Sequence, residues 1–303
     1  MPDYSILDAA LQAANIKYKT DEPMRLHTTF KIGGPADRFI QIENIAALQQ
    51  VLRALKASGV PYLLLGNGSN MLVPDEGLRG AVLTLEGELK QIARTEDGKI
   101  LCGCGAALAT LCNFARSHVL TGLEFAWGIP GEVGGALYMN AGAYGGEMKQ
   151  VVSRVFYVDE DGRTGVYAGE ALAFGYRKSV FMGTKKVITK AEFTLQPGVE
   201  TEITATMDDL MQRRKDKQPV ELPSAGSVFK RPEGHFAGAL IEQCGLKGYR
   251  IGGACVSEKH AGFIVNVDHA TCADVEALIR HIQGEVLRKF GVELEPEVRC
   301  VHL

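Results

Sequence analysis

No run in this 303-residue sequence is apolar for long enough to span a bilayer, and MPDYSILDAA carries no basic stretch leading into an apolar one. The expectation is a cytoplasmic protein with no secretory leader and no membrane partner. Neither sign of charge is in surplus. Lys and Arg number 33 against 36 Asp and Glu, a net charge of −3 with no asymmetry along the chain. That argues against a nucleic-acid partner held through its phosphates. No C-x-x-C occurs among Cys102, Cys104, Cys112, Cys244, Cys255, Cys272 and Cys300, and no His or further Cys pair stands near Cys102 and Cys104. The odd count and the apolar neighbours point to reduced, mostly buried thiols and to no metal site. Internal repeats and low-complexity tracts are also missing.

Glycine is plentiful, with 35 residues. It concentrates in GIPGEVGGALYMNAGAYGG, from Gly128 to Gly146. Small or amide residues lie between, so few Cβ atoms hold a ligand at a distance. Glycine also permits φ > 0, which lets successive N–H groups face one concave nest for phosphate or ring oxygens. A flexible surface loop is the plainer alternative. The interleaved Ile129, Val133, Leu137, Tyr138 and Met139 argue against it, because they want burial.

The length accommodates two or three domains. Tyr4 to Asn15 has helical spacing; Asp37 to Ile42 reads as a strand. Asn44 is a candidate N-cap for a helix closed by Gly59. Tyr62 to Leu65 is a short apolar run, as in a buried parallel strand, and Gly66, Asn67, Gly68, Ser69 and Asn70 follow at once. This β–α–β order with a glycine turn is a common place for ligand phosphates. LCGCGAALATLCNFA opens another helix from a glycine turn, but Leu108 stands where a dinucleotide fingerprint needs a small residue. A structural turn is expected there, and no Rossmann domain. Val151 to Val158 and Arg163 to Tyr167 flank Asp159-Glu160-Asp161-Gly162, a hairpin signature. Val187 to Leu195 suits a strand. The pattern changes at Pro197-Gly198. Beyond it come a helix to about Lys217, a helix near Ala237 to Cys244, a strand at Phe263 to Val267, a helix from Ala273 to Phe290 and a final strand at Leu294 to Val301.

Three segments combine turn-forming backbone with reactive side chains. In FGYRKS, Arg177 offers a planar cationic fork suited to carboxylate or enolate oxygens; a surface arginine is the equal alternative. In PSAGSVFKRP, Ser227 sits in a small-residue turn without the G-x-S-x-G elbow, so on its residues alone it reads as a local cap. In LEPEVRCVHL, Glu295 and Glu297 share a strand face, an arrangement usually solvated. Arg213, Arg214, Lys215 and Lys217 end a helix, where cations offset its dipole or form a diphosphate- or carboxylate-binding patch.

Taken together, TTFKIGGPA, LGNGSNMLV, GIPGEVGGALYMNAGAYGGE, FGYRKS, PSAGSVFKRP, SEKHAGFIVN and LEPEVR, in this order over nearly the whole chain, resemble the UDP-N-acetylenolpyruvoylglucosamine reductase (MurB) family. The run from Arg213 straight into PSAGS is similar to its shorter, type II branch. The resemblance implies an α+β protein: an FAD-binding module of the vanillyl-alcohol-oxidase (PCMH) type with subdomains at residues 1–84 and 85–197, and a smaller C-terminal α+β substrate domain at 198–303. FAD is expected noncovalently, since the matching turns hold no His or Cys. It would contact Gly66, Asn67, Gly68, Ser69 and Asn70, and Gly128, Ile129, Pro130, Gly131, Gly134, Gly135, Asn140, Ala141 and Gly142. The implied reaction passes a hydride from NADPH through FAD to the enolpyruvyl methylene carbon of a UDP-linked substrate. The charge left behind needs a cation and the neighbouring carbon an acid. Arg177 matches the family's enolate-stabilising arginine, Ser227 its proton donor, and Glu297 its carboxylate partner, which either supports the enolate as a neutral acid or relays protons. Tyr176, Lys217, Lys230 and Arg231 match the substrate-contacting regions. His260 is read as structural. Two alternatives stay open: another flavin oxidoreductase on this fold, and a nucleotide-binding module without redox activity.

Overall fold

The computed structural model describes residues 3–301 and residue 303. The chain forms two compact units, each assembled from separated segments. The first runs up to Thr20 and includes Arg38–Asn67 and Arg79–Gln212; the second comprises Asp21–Asp37, Gly68–Leu78 and the chain from Arg213 on.

Two larger sheets build most of the first unit. One orders the strands Tyr18–Pro23, Pro35–Ile42, Leu78–Leu85 and Tyr62–Leu64, with the last two parallel. The helix Ile45–Ser58 links Pro35–Ile42 to Tyr62–Leu64. Asn44 caps it, its carboxamide oxygen accepting from Ala47 N at 2.9 Å, and Gly59 ends it at φ +67°. Leu48, Val51, Leu52 and Leu55 recur at helical spacing and are all buried. Each such side chain contributes roughly 1.5–3 kcal/mol relative to exposure.

The second sheet is antiparallel throughout, in the order Thr164–Ala168, Val152–Val158, Val187–Phe193, Ile100–Gly103 and Ile92–Arg94. The hairpin read from Asp159 to Gly162 is present. Asp159 Oδ1 accepts from Asp161 N and Arg163 N, and Gly162 takes φ +78°. Although the sequence pattern changes at Pro197-Gly198, this unit continues to Gln212. The cause is the helix Glu200–Lys217, whose Ile203 and Met207 belong to the same hydrophobic core.

A buried carboxylate pins the antiparallel sheet. Glu192 is 2% exposed and accepts from Ser153 Oγ at 2.6 Å, Lys99 Nζ at 3.1 Å and both edges of the Arg154 guanidinium. The Arg154 bonds, with smaller help from Ser153 and Lys99, hold its carboxyl down at about 2. Because the folded-state value is depressed, this stabilisation is complete above the ordinary value of 4.5 and fades as the pH falls toward 2. Arg154 and Lys99 are 49% and 30% exposed, so solvent screens part of the gain. Glu192→Gln is therefore expected to lower unfolding free energy at neutral pH by about 2 kcal/mol. Urea unfolding of both proteins from pH 7 down to 3 should show the difference shrinking with acid; a constant difference would remove the ionic explanation.

The second unit carries a four-stranded antiparallel sheet, in the order Ser224–Ser227, Phe263–Asn266, Ala254–Val256 and Arg250–Ile251, with helices Ala237–Gln243 and Cys272–Phe290. Thr271 and Asp274 form a capping box at the start of the long helix, and Gly291 closes it in the left-handed region. Val275, Leu278, Ile282 and Val286 line its buried face. The expected final strand is shorter than its sequence suggests. Only Arg299–Cys300 pairs, in parallel with Met71–Leu72, while Pro296 contributes a single bridge to Phe229. Pro296 has no N–H to extend a ladder.

Candidate active site

Packing against neighbouring backbone explains much of the glycine stretch. The loop lies along the Gly103–Ala107 turn: Leu108 N donates to Gly131 O, Val133 N to Ala106 O and Gly134 N to Cys104 O, at 2.8–2.9 Å. A Cβ on Gly134 would come within 3.1 Å of Cys104 O. These contacts draw Val133–Tyr138 into a short helix that the two glycines oppose, with Val133, Ala136 and Leu137 buried. Further on, Gly142–Ala143 and Gly146–Glu147 form a hairpin. Its two tip residues, Tyr144 and Gly145, have φ of 53° and 88°, the signs of a type I′ turn. Gly142 must be small because a Cβ would sit 2.6 Å from Gly146 O, and Gly146 lies against the Phe125 ring. Gly135 differs: a Cβ there meets nothing within 4 Å.

The first part of the Gly66–Asn70 turn joins this loop. Asn67 Nδ2 donates to Pro130 O at 2.8 Å, and Gly66 lies against the Glu132 side chain. Burial pushes the Glu132 carboxyl up to about 7. Gly68, Ser69 and Asn70 belong to the second unit. There Thr29 N donates to Gly68 O, and Asn70 binds the C-terminal segment. Its Nδ2 donates to Glu297 O at 3.2 Å and its carbonyl accepts from Arg299 N at 3.0 Å.

Arg177 lies in the first unit, at the third position of a tight turn. Gly175 N donates to Lys178 O and Lys178 N to Gly175 O, at 3.0 and 3.1 Å. Arg177 takes φ +52°, which side chains other than glycine or asparagine adopt at a cost. It is half-buried, with its guanidinium 5.3 Å from the centre of the exposed Tyr176 ring. The turn is tied down on both sides. Asn140 Nδ2 donates to Gly175 O at 3.0 Å, and Ser179 Oγ to Tyr138 O at 2.8 Å.

Ser227 and Glu297 come together in the second unit. The strand Ser224–Ser227 pairs only with Phe263–Asn266, and its register slips between Ser224 and Ser227. Gly226 at φ +77° makes the bulge possible, and such bulges re-aim side chains. Thr29 Oγ1 fixes the start of this strand by donating to Ser224 O at 2.7 Å. Just past Ser227, Val228 O accepts from Glu297 N at 2.7 Å. Ser227 Oγ donates to Phe229 O over 3.3 Å, a long bond that leaves the hydroxyl weakly committed. Both side chains are half-buried.

Lys230 pairs with the exposed Glu295. Arg231 stacks over the exposed Phe236 ring at 4.0 Å, and Lys217 is exposed at the end of its helix. His260 is structural in its contacts. Its Nδ1 accepts from Gly262 N at 3.0 Å, its ring meets Phe263 edge-on, and burial lowers its pKa from the usual 6.5.

A family model for the C-terminal domain of UDP-N-acetylenolpyruvoylglucosamine reductase matches residues 218–301, and one for an FAD binding domain matches residues 36–165. The UDP-N-acetylenolpyruvoylglucosamine reductase of Staphylococcus epidermidis is 49% identical over 283 residues, covering 93% of this chain and 92% of that protein. The chain belongs to the UDP-N-acetylenolpyruvoylglucosamine reductase family. The crystal structure of the Thermus caldophilus reductase aligns with a TM-score of 0.80 at 37% identity, over 94% of this chain and 98% of that one. A berberine bridge enzyme variant shares the fold, with a TM-score of 0.51 at 16% identity over 64% of this chain and 44% of that one. The FAD-binding module plus C-terminal reductase domain expected from the motifs is thus present, and the absence of a Rossmann fingerprint agrees with it.

Within this family frame, sequence reasoning missed the supports of two of the candidate catalytic residues, Arg177 and Ser227. Thr29, Asn140 and Ser179 all lie inside quoted motifs, which was their only signal. Their hydrogen-bond partners are up to 195 residues away. Asn140 was grouped with the FAD contacts, yet its carboxamide is occupied by Gly175, Glu147 and Lys149.

Proposed function

We propose that this chain catalyses the NADPH-dependent reduction of UDP-N-acetylglucosamine enolpyruvate to UDP-N-acetylmuramate, using noncovalent FAD, in peptidoglycan precursor synthesis. The observation that carries the proposal is the 49% identity to a reductase of that name over 93% of the chain, with Arg177, Ser227 and Glu297 standing in its motifs.

The residues fit FAD. Open space at Gly135 suits close approach of a ligand to the loop that Asn67 ties at Pro130, while the adjoining Gly134 is packed against Cys104. Gly66, Asn67 and the Gly128–Gly135 loop would hold the cofactor, joined by Gly68, Ser69 and Asn70. Around Asn140–Gly142 only backbone is free to contribute. We assign residues 1–84 and 85–197 to cofactor binding and 198–303 to substrate binding. Bound FAD supplies the hydride relay between nicotinamide and substrate.

Arg177 stabilises the enolate as charge moves onto the substrate carboxylate. Ser227 gives its hydroxyl proton to the adjacent carbon, and Glu297 supports that transfer. A serine is a weak acid, but an enolate is a strong base, so position decides the rate. Tyr176, Lys217, Lys230 and Arg231 contact the UDP-linked substrate; Lys230 must leave Glu295 to do so.

The purified protein should show a flavin spectrum, and its NADPH consumption should depend on the UDP-linked enol ether. A colourless protein would favour a nucleotide-binding module. A yellow protein that ignores this substrate would favour a different flavin oxidoreductase on the same fold.

A further inference from the structure

Resting on the enolate-stabilising role proposed for Arg177, we infer that Asn140 is a positioning residue for it, locking the turn that carries the guanidinium onto the hairpin beside the cofactor loop. Asn140 is 1% exposed and every polar atom of its carboxamide is used. One Nδ2 hydrogen goes to Gly175 O at 3.0 Å and the other to Glu147 Oε2 at 3.0 Å, while Oδ1 accepts from Lys149 N at 2.9 Å. Glu147 is itself fixed by a capping box with Gln150. The chain from hairpin to turn is therefore continuous: Gln150, Glu147, Asn140, Gly175. Ser179 supplies a second tie to the Tyr138 carbonyl from the far side of Arg177.

Backbone strain gathers on the same elements. Of the nine non-glycine residues at positive φ among the described residues, Asn140, Tyr144, Ala173 and Arg177 lie on this hairpin and the segment bearing the turn. Such conformations persist where surrounding contacts over-determine them, and they gather at functional sites. The turn Gly175–Lys178 closes on itself through two backbone bonds, and Asn140 and Ser179 tie it from outside on either side of Arg177. Aspartate could not replace Asn140, because a carboxylate would face both Gly175 O and the Glu147 carboxylate without a donor.

A double-mutant cycle on the FAD-loaded enzyme tests this, reading the rate at which saturating enolpyruvyl substrate restores the flavin absorbance after NADPH has bleached it. Asn140→Ala is expected to slow that step about 10- to 100-fold while NADPH bleaching stays within about threefold. In an Arg177→Ala background, adding Asn140→Ala should cost nothing further. Equal losses in both backgrounds would overturn the inference, as would loss of FAD binding with an otherwise unchanged rate. An Arg177→Ala protein that turns over normally would instead bring down the role of Arg177 itself. Hydrogen exchange of the substrate-free enzyme gives a readout apart from activity. The Gly175 and Lys178 amides should exchange faster in Asn140→Ala, with Ala191 and Phe193 in the sheet unchanged; uniform acceleration would mark a merely structural residue. Should Asn140→Ala fail to fold, Ser179→Ala goes through the same cycle with the same outcomes.

Discussion

A Ser227→Ala enzyme should keep its FAD and be bleached by NADPH at close to the normal rate, yet recover its colour with enolpyruvyl substrate about 10²- to 10⁴-fold more slowly. The split follows from where Ser227 sits. It lies in the second unit, on a bulged strand held by backbone bonds to Phe263–Asn266 and to the Glu297 segment and by Thr29 Oγ1 at Ser224 O. None of these uses its hydroxyl. The one hydrogen bond lost, to Phe229 O at 3.3 Å, is long. Replacing a half-buried serine by alanine also leaves no sizeable cavity, so the fold and the cofactor loops should not notice. On the role proposed for Ser227, what goes is the proton delivered to carbon. Stopped-flow absorbance resolves the two half-reactions separately. Normal turnover in this variant would sink the proton-donor assignment, and equal slowing of both halves would point to a disturbed cofactor site instead.

How much of this was legible beforehand depended on whether a residue's reason lies near it in sequence. Asn44 and Gly59 announce helix ends because caps act over three or four residues, and both behave accordingly. Asp159 to Gly162 announces a hairpin for the same reason. The glycines of the central stretch could not be sorted in that way. Gly146 is small because of Phe125 and Gly134 because of Cys104, whereas Gly135 faces open space, and nothing local separates the three. The helix Val133–Tyr138 was hidden too, since its two glycines argue against helix and only the bonds to Cys104 and Ala106 override them. The bulge before Ser227 was invisible in SAGS because four small residues show no alternation. Ser227 thus read as a local cap until the pairing of Ser224 and Ser227 with Val265 and Phe263 gave it a direction.

Arg177→Gly should leave the protein about as heat-stable as the parent while slowing the substrate half-reaction about 10²- to 10³-fold. Glycine adopts φ +52° freely, so the change relieves roughly 1–2 kcal/mol of backbone strain. Against this stand the chain entropy that glycine adds to the unfolded state, about 0.4–1 kcal/mol, and the loss of the side chain's contacts, among them the one over the Tyr176 ring, worth about 0.5–1 kcal/mol at an exposed site. These terms nearly cancel, and the melting temperature with FAD bound should move by only a few degrees. Arg177→Lys separates charge from shape. It keeps the cation and the strain but lacks the planar fork, so it should recover only part of the lost rate. A side chain held at a backbone conformation that suits glycine, with no net gain in stability, is retained for what it does. A clear drop in melting temperature for Arg177→Gly, with the half-reaction intact, would reverse that conclusion and make Arg177 a structural residue of its turn.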